Sequence, residues 1–213
     1  MNDKKLIDLT HLITEEISLY PGTPPPKINE IFSIEKNGFS ESQFTLTTHM
    51  GTHIDAPAHL LPEGKKLTDY ELSAFTGRAL CIDCTHTKSI SRNIISDQLV
   101  NEKVPPEFVL LYTGWAEKWN TPEYLNGFPQ LTPEAAELLS KYNLKGIGID
   151  TLSIESDEEG YFRIHHLFFA KGIIIIENLT NLKDLTGRHF TLMCLPLKIG
   201  CKDGAPARVL AIT

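Results

Sequence analysis

Basic charge is scarce in this chain: 20 Lys and Arg stand against 27 Asp and Glu, a formal net charge of −7. A general nucleic-acid binder needs a basic surface to meet phosphates, so that class is excluded as a partner. Long apolar runs are lacking too. The most hydrophobic, GIIIIE at 172–177, is far too short to span a bilayer. The N-terminal MNDKKLIDLTHLI carries two lysines but no stretch with the length of a secretory h-region. The expectation is a cytoplasmic protein with no membrane partner. Internal repeats, low-complexity tracts and shifts of composition are absent, which predicts one domain over residues 1–213. No glycine-rich nucleotide fingerprint follows an apolar run.

Cysteine is sparse, at positions 81, 84, 194 and 201. Cys81 and Cys84 form a C-x-x-C, which could be half a zinc site or a redox pair. However, ALCIDC reads as a buried strand, where residues three apart point to opposite faces, and no second close pair completes a zinc ribbon. Buried free thiols in a reducing compartment are the favoured reading.

With 41% hydrophobic residues the chain has ample core material. Short, β-rich apolar runs recur at 79–83, 108–112, 146–149, 173–176, 190–195 and 208–212, after a first strand at 5–9. A helix is predicted from Thr132 as N-cap with Pro133 at its first position. A second starts near Arg163 and stops before Gly172, and a weaker third covers 97–103. Strands and helices mix without a strict βαβ rhythm. The predicted fold class is therefore α/β, with a mixed β-sheet or open barrel flanked by helices rather than a doubly wound sheet.

The densest chemistry lies in THMGTHIDAPAH, residues 48–59. A helix there is opposed by Gly51, Pro57 and the threonines at 45, 47, 48 and 52, and no Glu follows His49 to make H-E-x-x-H. Read as a strand over 44–55, Phe44, Leu46, Met50 and Ile54 fall on one face and His49, Gly51, His53 and Asp55 on the other. Four residues of straight strand span roughly 13 Å, about the limit for two imidazoles to meet at one ion. A bend is therefore required between the histidines, and Gly51 sits where it is needed. Pro57 then ends the ladder and returns His59 over the cluster. Two imidazoles and a carboxylate suit Zn²⁺ or Mn²⁺ and leave positions open, as a catalytic centre requires.

This stretch resembles the H-x-G-T-H-x-D-x-P-x-H signature of the cyclase-like metal-dependent hydrolases, which include bacterial kynurenine formamidases and isatin hydrolases. The likeness continues through YPGTP (20–24), LLYTGW (110–115), GIGIDTLSIE (146–155), HHLFFAKGIIIIENLTNL (165–182) and DGAPAR (203–208). The resemblance implies the swivelling β/β/α fold of that family. It also implies a first metal on His49, His53 and Asp55, and, as in the formamidase branch, a second on Asp55, His165 and Glu177. His59 would be the acid/base. Glu177 makes sense without the family as well, because a lone carboxylate ending the buried run IIII is costly unless paired or bound to a cation. His166 is read as facing solvent or a subunit interface, and His11, His86 and His189 as structural.

Three positions depart from the family pattern. Tyr20 stands where kynurenine formamidases commonly carry Trp, a substrate-stacking position; Thr23 replaces the Asp of the Pro-Gly-Asp turn; and Glu155 replaces the Asp of S-x-D. Ser153 is read either as part of a water chain or as a turn cap.

The expected function is hydrolysis of a carbon–nitrogen amide bond in a small arylformamide or cyclic amide, with one or two divalent ions per subunit. Alternatives are hydrolysis of a lactone or other cyclic ester, an isatin-type reaction, or a metal- or ligand-binding relative without turnover. The expected partners are a small-molecule substrate and, mainly because the resemblance implies it and with some support from an apolar C-terminal half, further copies of the chain as a homodimer or homotetramer.

Overall fold

The computed structural model describes residues 5–100, 102–156, 161–200 and 203–213. Its strands are β1 (Leu6–Asp8), β2 (Lys27–Phe32), β3 (Glu41–Thr45), β4 (His53–Asp55), β5 (Thr76–Asp83), β6 (Ser89–Ile90), β7 (Phe108–Tyr112), β8 (Gln130–Leu131), β9 (Gly146–Ile149), β10 (Ile174–Glu177), β11 (His189–Pro196) and β12 (Gly204–Ile212). The α-helices are α1 (Ile34–Asn37), α2 (Arg92–Leu99), α3 (Pro133–Leu139) and α4 (Arg163–Phe169).

Eight strands form one mixed sheet in the order β1-β12-β11-β5-β7-β9-β10-β4, and a further pairing of β12 with β4 closes seven of them into a barrel, with β1 added along β12. The central strands β5, β7, β9 and β10 run parallel. Such strands are covered on both faces, which explains why they read as continuous apolar runs. Phe108, Leu110, Ile174 and Ile176 fill the barrel interior, while Val109, Leu111, Ile147, Ile149 and Ile175 pack outward with helix residues such as Ile95, Leu139 and Phe168. On β9 the inward positions are glycines because nothing larger fits. A Cβ at Gly148 would lie 2.5 Å from Leu110 and 2.6 Å from Leu179.

The mixed α/β architecture is as expected from sequence, and most strand boundaries fall within a few residues of those predicted. Helix α3 starts at Pro133, with Thr132 accepting from the Ala135 N–H at 3.2 Å. Two expectations need correction, and one element is new. The strand predicted over 44–55 is two strands, β3 and β4, separated by an irregular turn, because Gly51 takes the left-handed φ of +61°. The helix expected at 97–103 is α2, displaced towards the N-terminus, with Ile95 and Leu99 buried on one face; residue 101 lies outside the described residues. Finally, residues 27–45 form an antiparallel pair, β2–β3, which the sequence did not announce.

Cys81, Cys84 and Cys194 are buried free thiols, and burial pushes each well above its ordinary pKa. Cys201 lies outside the described residues. Among the described residues no helix is long and apolar enough to cross a membrane.

Candidate metal centre and cavity

Strand register assembles the site. On β4, His53 and Asp55 face one way and Ile54 the other, into the barrel interior. Antiparallel pairing sets His53 opposite Glu177 and Asp55 opposite Ile175 on β10. Directly paired residues share a face, so His53, Asp55 and Glu177 all stand on the outer surface of the barrel. Helix α4 lies over that surface and contributes His165. His49 arrives from the turn before β4 rather than from a strand. Gly51 makes the bend that brings it in, and the buried Thr52 locks it by donating to the Asn178 carbonyl at 2.6 Å and accepting from the His11 N–H at 2.9 Å.

The donors converge on Asp55. Its Oδ1 lies 2.5 Å from His49 Nδ1 and 3.2 Å from His53 Nε2, and its Oδ2 lies 3.8 Å from His165 Nε2. Glu177 Oε1 is 3.3 Å from His165 Nε2, and Oε2 is 3.6 Å from His53 Nε2. Among the described residues three candidate ligand groups result: His49–His53–Asp55 and Asp55–His165–Glu177, with Asp55 common to both, and a more exposed one, His49–His59–Asp203.

Each imidazole is oriented from behind. His53 Nδ1 donates to the Gly51 carbonyl at 2.8 Å, and that carbonyl also accepts from Asn178 Nδ2 at 3.0 Å. His165 Nδ1 donates to Glu155 Oε1 at 2.7 Å, and the same carboxylate accepts the Ile164 and His165 backbone N–H groups. His49 Nε2 lies 3.2 Å from Asp203 Oδ2. His53 and His165 thus turn Nε2 towards the carboxylates, and His49 turns Nδ1 towards Asp55. Ligating histidines in metal centres are held in this way. Glu177 is fixed too, its Oε1 accepting from Ser153 Oγ at 2.9 Å and the Ile154 N–H at 3.0 Å. Ser153 therefore orients the carboxylate, rather than serving only as a turn cap.

The electrostatics call for a cation. His53, Asp55, His165 and Glu177 are 3%, 1%, 3% and 5% exposed, and no Lys or Arg is among the cavity-lining residues described. Burial alone would lower the His53 pKa, but the Asp55 and Glu177 carboxylates more than reverse this and hold it near 9. At His165 burial is likewise overcome, by hydrogen bonds to Glu155 and Glu177, giving about 10. Burial would raise Asp55, yet His49 and His53 keep it well below the usual carboxylate range. Without a metal these raised values keep His53 and His165 protonated at neutral pH, which supplies the positive charge the buried carboxylates need, and the donor set fits a divalent metal in place of those protons.

Pro57 starts a short 3₁₀ turn that ends at His59, whose ring centroid lies 4.1 Å from that of His49. Burial, the largest effect, lowers the His59 pKa, favouring the neutral imidazole. Beyond it opens a cavity of about 320 Å³, walled by Tyr20, Leu60, Leu152 and Phe162 in addition to the donors. The structure thus brings all seven residues singled out in the sequence, Tyr20, His49, His53, Asp55, His59, His165 and Glu177, to one cavity. His166 stacks on Tyr161 outside it.

Sequence reading missed the supporting residues. Glu155 was noted only as a departure, and Asn178 and Asp203 were not singled out. Each was quoted within a motif, but nothing local linked it to a histidine far along the chain.

The Cyclase family model matches residues 7–156. The chain belongs to the cyclase family. Among its relatives, a kynurenine formamidase from Bacillus thuringiensis (strain Al Hakam) is 31% identical over 211 residues, covering 99% of this chain and 98% of its own. A solved structure described as a potential metal-dependent hydrolase with cyclase activity is 31% identical with a TM-score of 0.82, covering 98% of each chain. Isatin hydrolase A from Labrenzia aggregata superposes with a TM-score of 0.87 at 27% identity, covering 99% of this chain and 94% of its own. This cyclase-family chain is accordingly a hydrolase, and the buried cluster is its candidate centre.

Proposed function

We propose that this hydrolase cleaves the carbon–nitrogen amide bond of a small arylformamide or cyclic amide, using zinc or manganese, with one or two ions per subunit. The observation that carries the reading is the pair of ligand groups sharing Asp55, set beside His59 at the floor of a cavity with an aromatic wall. Its chemical class agrees with the kynurenine formamidase and isatin hydrolase relatives.

His49, His53 and Asp55 would hold one ion, and Asp55, His165 and Glu177 a second. A divalent ion there supplies Lewis acidity, acidifying water and polarising the substrate carbonyl. The remaining work falls to the chain. Tyr20, Leu60, Leu152 and Phe162 pack against the aromatic part of the substrate. His59, neutral near pH 7, removes a proton from water as its oxygen bonds to the carbonyl carbon. It then delivers that proton to the nitrogen as the carbon–nitrogen bond breaks. Ser153 and Glu155 keep Glu177 and His165 from turning away. Because water would attack an ester carbonyl equally well, a lactone is the control substrate rather than the preferred one.

Metal analysis of the pure protein, followed by rates on N-formylkynurenine, isatin and a simple lactone, tests the proposal. We expect bound metal and faster turnover of an amide than of the lactone. His59→Ala should lower kcat by about 10²- to 10⁴-fold with metal content unchanged. Metal-free protein that neither Zn²⁺ nor Mn²⁺ activates would overturn the reading, and unchanged activity in His59→Ala would remove the role given to His59.

A further inference from the structure

The geometry points to Asp203 as a positioning residue for the metal centre: its carboxylate holds the His49 ring in the orientation that turns Nδ1 towards Asp55 and the cation. The inference rests on the metal reading proposed above. It concerns a residue 154 positions from His49 that lies just before β12, outside both ligand groups centred on Asp55 and grouped with His49 and His59 in the third.

Three observations converge on it. First, Asp203 Oδ2 stands 3.2 Å from His49 Nε2, where it can accept the proton that Nε2 carries when a cation occupies Nδ1. Nδ1 is the atom 2.5 Å from Asp55 Oδ1. Second, Asp203 is itself held. Thr48 Oγ1 donates to the same Oδ2 at 2.6 Å, and the Asp203 carbonyl accepts the Ala56 N–H at 2.9 Å, tying the residue to the end of β4. Third, the next residue is a glycine packed flat beneath the ring. A Cβ at Gly204 would lie 2.8 Å from His49 Cε1, 3.2 Å from Nε2 and 2.8 Å from the Ile54 carbonyl oxygen. Gly204 pairs with Asp55 across β12 and β4, so the backbone that bears Asp55 also fixes the surface on which His49 rests.

His49 needs this support more than the other two histidines. His53 and His165 are buried within a strand and a helix, whereas His49 sits on an irregular turn and is about a quarter exposed, with 24% of its side chain accessible. An imidazole on such a turn is free to rotate about χ1 and χ2 unless its second nitrogen is gripped. Asp203 supplies that grip, and Gly204 allows the ring to lie close enough to receive it.

The test is a set of variants titrated with Zn²⁺ or Mn²⁺ against a chelating indicator, alongside the wild type and with thermal melts of the metal-free proteins. Asp203→Ala should weaken metal affinity by about 10- to 100-fold, the range found when a carboxylate behind a ligating histidine is removed. Asp203→Asn, whose side-chain oxygen still accepts from Nε2–H, should retain most of the affinity. Gly204→Ala removes no donor or acceptor, yet should weaken binding by displacing the ring. Thr48→Val, which only frees the carboxylate, should fall between wild type and Asp203→Ala. The last two keep the test decisive if Asp203→Ala does not fold. Wild-type affinity in Asp203→Ala, or in both Gly204→Ala and Thr48→Val, would overturn the inference. Equal losses in Asp203→Asn and Asp203→Ala would overturn the hydrogen-bond account. A wild type that binds no metal would instead sink the proposed function itself, so the two failures are distinguishable.

Discussion

Strand β4 and the β2–β3 pair divide polar and apolar residues in opposite senses. Every residue of β4 is buried, although two of the three, His53 and Asp55, are ionisable. Every residue of β2 and β3 is exposed, although Ile28, Ile31, Phe32 and Phe44 are large and apolar. Ile34 and Phe39, in the segment joining those strands, are exposed as well. Buried ionisable groups are costly unless opposite charge meets them, and a contiguous apolar patch in water is costly unless something covers it. We propose that both regions are completed from outside the chain: β4 by a divalent cation, and the hairpin by another apolar surface, a two-stranded ribbon being marginal on its own. The homodimer or homotetramer expected from sequence is proposed on this ground, with the hairpin as the contributing face.

The comparison breaks most sharply at Asp55, which two of the three ligand groups share. In Asp55→Ala the buried His53 and His165 and the partly exposed His49 lose the carboxylate that faces all three. We expect metal content and turnover to fall to background together, read by elemental analysis and by rate on the best amide substrate. Stoichiometric metal with measurable turnover in this variant would take Asp55 out of the centre.

At the hairpin the expected effect is on assembly rather than chemistry. Ile28 and Phe44 are directly paired across β2 and β3. The double substitution Ile28→Ser, Phe44→Ser should move the protein towards the monomer in light scattering while leaving metal content unchanged. Both side chains are largely exposed, at 41% and 62%, so folding stability of the monomer should change by only about 0.5 kcal/mol at each position. A wild type and a double variant of identical mass would show that the hairpin is not an interface.

The two regions also differ in how far they could be read beforehand. The donors of β4 were legible because a period of two and a run of ligand-type residues coincide, and because Gly51 and Pro57 mark where the chain must turn. Strand parity nevertheless explained too much. It assigned His49 to the same strand face as His53, whereas His49 reaches the site through the turn that Gly51 permits. The positioning groups were illegible for another reason. Asp203 approaches His49, and Asn178 approaches Gly51, through strand pairings that no local pattern encodes. Glu155 did leave a signal, as an acidic residue ten positions before His165, but only the structure shows the hydrogen bond between them. The hairpin escaped because its exposed apolar residues follow neither a core pattern nor a surface one. The start of α2 escaped because Ile94 and Ile95 are β-branched and argue locally against helix.

Tyr20 stands between the two classes and gives the smallest and most selective test. It is an aromatic side chain 38% exposed, like those of the hairpin, yet it lines the cavity beside His49 and His59. Its loop is set by the turn in which the Thr23 N–H donates to the Tyr20 carbonyl at 3.0 Å. If its ring packs against substrate rather than against another subunit, truncation should weaken binding without touching the chemistry. Loss of one aromatic contact is worth about 1 kcal/mol, so Tyr20→Ala should raise KM for an aryl amide by about fivefold. The kcat value and the metal content should stay near wild type, and Tyr20→Phe, which keeps the ring, should bind almost normally. A small aliphatic amide should show no difference among the three proteins. If Tyr20→Ala instead lowers kcat with KM unchanged, the ring acts on the reacting groups; if it alters only the oligomeric state, Tyr20 belongs with the hairpin and not with the cavity.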